Sequence, residues 1–129
     1  MPIKMQKWIK RSDLRANPTT VYVFGDNLIR KGRGGQAYEM RGEPNALGIP
    51  TKSTPSQYAC DGMCLFFLRE WVYAFENLDY HLCAIGDVVW PEDGIGTGLA
   101  DLPHRAPLLW QTLELLRTNL FKEHYEDTN

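Results

Sequence analysis

The chain has 129 residues, 43% of them hydrophobic and 23% charged, which suits one soluble globular domain (1–129) with a real core. With 14 basic and 16 acidic residues the formal charge is −2, which excludes the broad basic footprint of a nucleic-acid-binding protein. Cys60, Cys64 and Cys83 make no disulfide framework, no signal peptide is read at the start, and no apolar run reaches membrane-spanning length, so a reducing, cytoplasmic setting is expected.

In chain order, Ser12-Asp13-Leu14-Arg15-Ala16 reads as one helical turn, capped by Ser12 and stopped at Asn17-Pro18. The basic stretch around it, from Lys4 to Arg15, is short and reads as a solvated face. Thr20 to Phe24 is β-branched and aromatic, a good central strand that ends at Gly25-Asp26-Asn27. Past the glycine turn Gly32-Arg33-Gly34-Gly35, residues Gln36 to Arg41 make a short helix with Gly42 as exit. Asn45 to Ile49 reads as a weaker strand terminated by Pro50-Thr51-Lys52.

A longer helix is predicted over Asp61 to Asn77, because Cys64, Phe67, Leu68, Trp71, Ala74 and Leu78 keep helical spacing. His81 to Trp90 reads as a third strand region interrupted at Gly86. Pro91-Glu92-Asp93 leads into a second glycine turn, Gly94-Ile95-Gly96-Thr97-Gly98. The last helix carries Leu109, Leu113, Leu116 and Leu120 on one stripe, with its start left open by Pro103 and Pro107. From Lys122 onward the chain reads as a frayed tail. Strands alternating with helices give an α/β fold, with ligands expected outside the strand ends.

The two glycine turns carry most of the functional information. Each follows a predicted strand and leads into a predicted helix, where bare N–H groups attract anions. Gly34-Gly35 lets a phosphate approach the backbone closely, and Gly96-Thr97-Gly98 does the same and adds a hydroxyl donor. A pair of such turns can grip a diphosphate from two sides; either one alone is also just a tight turn. Asp26, Asn27, Lys52 and Asp101 lie where strands give out. Asp26 and Asn27 either touch a ligand or close their own turn. Lys52 is a surface lysine, a charge for phosphate or an amine nucleophile, and Asp101 is a helix cap or an acid–base group. Cys60, Cys64, His81 and Cys83 match no standard zinc spacing, and Cys64 on the apolar stripe and Cys83 within a strand read as core thiols, so no metal and no cofactor is expected. His104 and His124 receive no role.

These segments resemble the macrodomain superfamily, whose members bind ADP-ribose in a crevice formed by two such loops. Gly94-Ile95-Gly96-Thr97-Gly98-Leu99 is similar to the second, diphosphate-binding loop. Val23-Phe24-Gly25-Asp26-Asn27 with Gly34-Gly35-Gln36-Ala37 is similar to the strand and first loop. Ser12-Asp13-Leu14 resembles the segment whose aspartate contacts adenine, and Ile49-Pro50-Thr51-Lys52 a strand end of the terminal ADP-ribose glycohydrolase subgroup, where a lysine meets the distal ribose. The stretches Val23–Lys52 and Asp93–Leu102 also resemble small macrodomain-like proteins of bacteria and phages.

The resemblance implies a three-layer α/β/α fold with a central mixed sheet. It also implies an ADP-ribose-type small molecule or an ADP-ribosylated macromolecule as partner, with neither membrane nor nucleic acid. Asp13 would meet adenine, Gly34, Gly35, Gln36, Gly96, Thr97, Gly98 and Leu99 the diphosphate, and Asp26 or Asn27 the distal ribose. If there is a reaction, it is hydrolysis of ADP-ribose from a modified acceptor, with Lys52 at the anomeric carbon and Asp101 moving protons. Three departures favour binding over catalysis. Ala100 stands where an aromatic residue is common, Asp101 falls one place later than the glycohydrolase aspartate, and the first loop lacks the aspartate of the mono-ADP-ribosyl hydrolases. A non-catalytic nucleotide sensor, or an assembly protein keeping the frame without ligand, are the alternatives.

Overall fold

A computed structural model describes residues 2–124. Its elements run β1 (Ile3–Gln6), α1 (Arg11–Ala16), β2 (Val21–Asn27), α2 (Ala37–Met40), β3 (Ala46–Thr54), β4 (Gln57–Tyr58), a 3-10 turn at Asp61–Met63, α3 (Cys64–Ala84), β5 (Val88–Pro91), α4 (Leu102–Arg105) and α5 (Pro107–His124). The strands form one mixed sheet in the order β1-β5-β2-β3-β4, parallel except for β4, so the fold is α/β.

Period-two alternation divides the sheet between two cores. Val23, Ile49, Val88 and Trp90 face Phe67, Trp71, Leu78 and Leu82 of α3 and Leu109, Leu113 and Leu120 of α5. Their neighbours Tyr22, Phe24 and Val89 turn the other way, onto Leu14 of α1 and Ala37 and Met40 of α2. Helices therefore cover both faces, giving three layers. Each fully buried side chain of the size of Leu78 contributes about 1.5–3 kcal/mol through burial. Trp71 also donates its indole N–H to the Pro50 carbonyl at 2.8 Å, which fixes α3 against β3.

Several elements differ from the sequence expectation. The sheet has β1 and β4 as well. Ile3 is buried against the core while Lys4 of the same strand pairs outward with Asp87 at 2.9 Å, so the supposed solvated face begins with an edge strand. β3 continues through Pro50 because β4 begins pairing only at Lys52, and a residue without an N–H is tolerated where one edge is open. α3 continues to Ala84, so His81 to Ala84 are helical; Trp71, Phe75, Leu78 and Leu82 keep one buried helical stripe across the expected break. Cys83 is thus an exposed helix residue and not a core thiol within a strand; Cys60 is exposed too.

α1 begins at Arg11, and the Asp13 carboxylate, not Ser12, takes the Lys10 N–H at 2.9 Å. Pro103 lies in the first turn of α4 and Pro107 opens α5, with Ala106 between them. Both prolines therefore occupy first turns, where a missing N–H costs no intrahelical bond. α5 stays helical through His124, past the expected start of the tail, because Leu120 remains buried and Phe121 stacks edge-on against Trp90 at 5.4 Å. The rest of that expected tail, 125–129, lies outside the described residues. No helix among the described residues is long and apolar enough to cross a membrane.

Candidate functional site

The parallel strands β2, β3 and β5 end at one rim of the sheet, and a cavity of about 340 Å³ opens there. Gly25, Asp26 and Asn27 from β2, Thr51 and Lys52 from β3 and Pro91 from β5 form its floor. The two glycine loops form its walls, Gly32 to Gln36 on one side and Gly94 to Ala100, except Thr97, on the other. The paired turns thus open onto a single space, outside the carboxyl ends of the strands.

The first loop is held by side chains from outside it. Arg41, at the exit of α2, donates from Nε to the Gly32 carbonyl at 2.7 Å and from a terminal nitrogen to that of Lys31 at 3.3 Å. Gln36 commits its amide to both backbone groups of Ile9, each at 2.8 Å. Gly35 adopts φ +57°, which favours glycine, whereas a Cβ at Gly34 would meet nothing within 4 Å.

The second loop folds on its own backbone. Gly94 N–H donates to Pro91 O at 2.9 Å, and Leu102 N–H to Gly96 O at 2.8 Å. Gly96 combines φ +81° with tight surroundings, since a Cβ there would lie 3.3 Å from Leu102 and Thr51. Thr97 spends its hydroxyl inside the loop, on the Asp93 carbonyl at 2.9 Å, and does not line the cavity. Leu99 stands on the rim, almost wholly exposed.

What remains unclaimed is a set of amides. The N–H groups of Gly34, Gly35 and Gln36, and those from Ile95 to Ala100, donate to no acceptor among the described residues. Lys31, Arg33, Arg41 and Lys52 also line the space, against one acidic residue, Asp26. Asp26 is itself neutralised. Its buried carboxylate meets Arg41 at 2.5 Å and Arg30 at 3.3 Å, and accepts the Asn27 N–H at 2.8 Å. In a chain whose formal charge is negative, this rim is a local positive site suited to an anion.

Residues 4–116 match a family of unknown function (DUF7831). The chain belongs to this family. No curated protein and no solved structure matches it.

In this DUF7831 member the other expected site residues are distributed unevenly. Asn27 is buried and binds the Lys31 carbonyl through Nδ2 at 2.7 Å, closing the turn after β2. Lys52 reaches the cavity, but its ammonium donates to Pro55 O at 2.6 Å and lies 5.6 Å from the Tyr58 ring. Asp101 does not line the cavity. It sits at φ 49° before α4 and pairs with His104 at 2.8 Å and Arg105 at 3.4 Å; the His104 hydrogen bond, first among the causes, holds its carboxyl below the usual range. No ion pair joins it to Lys52 among the described residues. Asp13 lies outside the cavity too. Its Oδ2 accepts from Lys10 N–H and Gln6 Nε2, each at 2.9 Å, and its Oδ1 keeps spare acceptor capacity.

Sequence reading passed over Arg41, Arg33 and Lys31, the cations around the first loop. The signal was present in part, since three basic residues (Arg30, Lys31, Arg33) sit within four positions beside Gly32. Arg41 had no such signal, because only the fold of α2 swings it back onto Gly32. Chemically, the arrangement offers backbone donors and fixed positive charge for a phosphorylated ligand. Of the two residues expected to do chemistry, Lys52 lines the space and Asp101 does not.

Proposed function

We propose that this protein binds ADP-ribose or a related nucleotide diphosphate-ribose in the cavity between its glycine loops, as a macrodomain-like module. The observation that carries the reading is that two loops with unclaimed amides line one space whose other lining has four cations and one neutralised carboxylate. Charged oxygens of a diphosphate satisfy such donors better than neutral groups do. The diphosphate lies between Gly34-Gly35-Gln36 and Gly96 to Gly98, with Lys52 toward the distal ribose. Adenine reaches toward Asp13, whose Oδ1 accepts its amino group. A cytoplasmic setting suits such a ligand and three free thiols.

Binding without turnover is the better supported form of this reading. Asp101 points into its own ion pairs and Lys52 is tethered to Pro55, so the pair invoked for hydrolysis is not assembled. Calorimetry with ADP-ribose, NAD, AMP and inorganic phosphate tests the proposal. ADP-ribose should bind one per chain and more tightly than AMP, and product analysis after long incubation should return it intact. Failure of all four to bind would end the nucleotide reading; release of ADP-ribose from a modified acceptor would restore the hydrolase.

A further inference from the structure

On the side of the molecule built by α3 and α5, three side chains with metal-binding chemistry converge. Asp79 and Cys83 are one turn apart on α3, so they share a face. His124, from the end of α5, meets them there with its Nε2 2.5 Å from Asp79 Oδ1. One ligand atom from each residue lies within 4.8 Å of the other two. We propose that Asp79, Cys83 and His124 form a site for a zinc-class divalent cation.

The donor set is a carboxylate oxygen, a thiolate and an imidazole nitrogen, which together suit a borderline-soft cation such as Zn²⁺ and not the hard, oxygen-seeking Mg²⁺ or Ca²⁺. Zinc bonds of about 2.0–2.3 Å hold tetrahedral ligand atoms roughly 3.3–3.6 Å apart; here one pair is at 2.5 Å and all three atoms lie within 4.8 Å of one another. Small side-chain rotations, with Cys83 the exposed member, close the difference. Cys83 is exposed, so a hydrated cation has a path in, and water completes the fourth position.

Local charge points the same way. The adjoining groove of about 270 Å³ is lined by Glu76, Asp79 and Glu123 with no basic side chain. On binding, the Cys83 thiol loses its proton to solvent and becomes the thiolate ligand. The cation then ties the end of α5 to α3.

Titration of the full chain with Co²⁺ under a non-chelating reductant tests the site. One Co²⁺ per chain should bind, with a thiolate-to-metal charge-transfer band that Zn²⁺ displaces. Cys83→Ser should abolish the band, and Asp79→Asn and His124→Gln should each weaken binding by at least the roughly 10–100-fold that loss of an outer-shell partner costs. Cys60→Ser and Cys64→Ser should keep the band, and Zn²⁺ should raise the Tm of the parent but not of Cys83→Ser. Absence of saturable binding, a band that survives Cys83→Ser, or one that vanishes with Cys60→Ser or Cys64→Ser would overturn the assignment and leave His124–Asp79 as a plain ion pair.

Discussion

Arg41 and Asp26 form the joint between the sheet and the first glycine loop. The guanidinium meets the buried carboxylate at 2.5 Å, donates at the same time to the Gly32 carbonyl, and lies 5.7 Å from the Phe24 ring centre. One side chain therefore neutralises the acid under the cavity and sets the wall above it. Asp26 acts here as an anchor for that cation and not as an open acceptor at the cavity floor.

Arg41→Ala removes the main partner of a carboxylate whose side chain is only 2% exposed, leaving it Arg30 and the Asn27 N–H. We expect a loss on the order of 3 kcal/mol, because an incompletely paired buried charge costs more than the pair contributes. Urea denaturation should show a lower midpoint at an unchanged slope. Arg41→Lys should recover only part, since an ammonium cannot serve Asp26 and Gly32 in the same fork. An unshifted midpoint in Arg41→Ala would refute this account of the joint.

Glycines of the same chain should respond in opposite ways. A Cβ on Gly48 would lie 2.5 Å from Asp26 Oδ2 and 2.9 Å from Asp26 Cβ, so Gly48→Ala must displace the anchor and should lower the Tm. At Gly34 and Gly98 a Cβ meets nothing within 4 Å, and neither glycine has a positive φ that excludes side chains. Gly34→Leu and Gly98→Leu should keep the parental Tm while filling the cavity and abolishing ADP-ribose binding by calorimetry. If both variants bind at parental affinity, the ligand does not lie between the loops.

The contrast between these glycines marks what sequence could carry. Their spacing between strand and helix was enough to place two loops at one sheet edge, since a parallel sheet brings successive strand ends together. The α3 stripe was legible for the same reason, being periodic. Short apolar runs were not: Leu82-Cys83 fits a strand or a helix, and only burial of Leu82 behind Leu78 decides it. β1 is an edge strand with one buried residue, Ile3, and so has almost no alternating signal. Side-chain commitments were the least legible. Nothing local reveals that Gln36 binds Ile9 or that Asp101 turns to His104, because both choices depend on neighbours fixed by tertiary packing.

Acid should weaken the contact between α1 and the segment after α2. Glu43 receives Arg11 and Arg15, and the Arg11 hydrogen bond, the largest cause, holds its carboxyl below the ordinary glutamate value of 4.5. A depressed folded-state pKa means that the unfolded chain takes up the proton first. The stabilisation is therefore complete well above pH 4.5 and is lost as pH falls through the lower folded-state value. Glu43→Gln should be less stable than the parent at pH 7, and the two should converge once pH has fallen below the depressed folded-state value. Equal stability at pH 7 would show that the cluster contributes nothing; a gap that widens in acid would reverse the sign.

Lys52 and Asp101 should separate when each is neutralised. Lys52 lines the cavity and its charge is on a flexible stem, so Lys52→Met should weaken ADP-ribose binding by about tenfold, the equivalent of about 1.4 kcal/mol. Part of that loss should disappear at high salt, where a partly exposed charge is screened. Asp101→Asn changes a carboxylate that faces His104 and Arg105 outside the cavity, and should leave the affinity unchanged. Were Asp101→Asn to weaken binding as much as Lys52→Met, the two groups would share the ligand after all. The α4 turn would then have to rotate Asp101 inward when the nucleotide binds, and the acid–base pair needed for hydrolysis would exist in the complex.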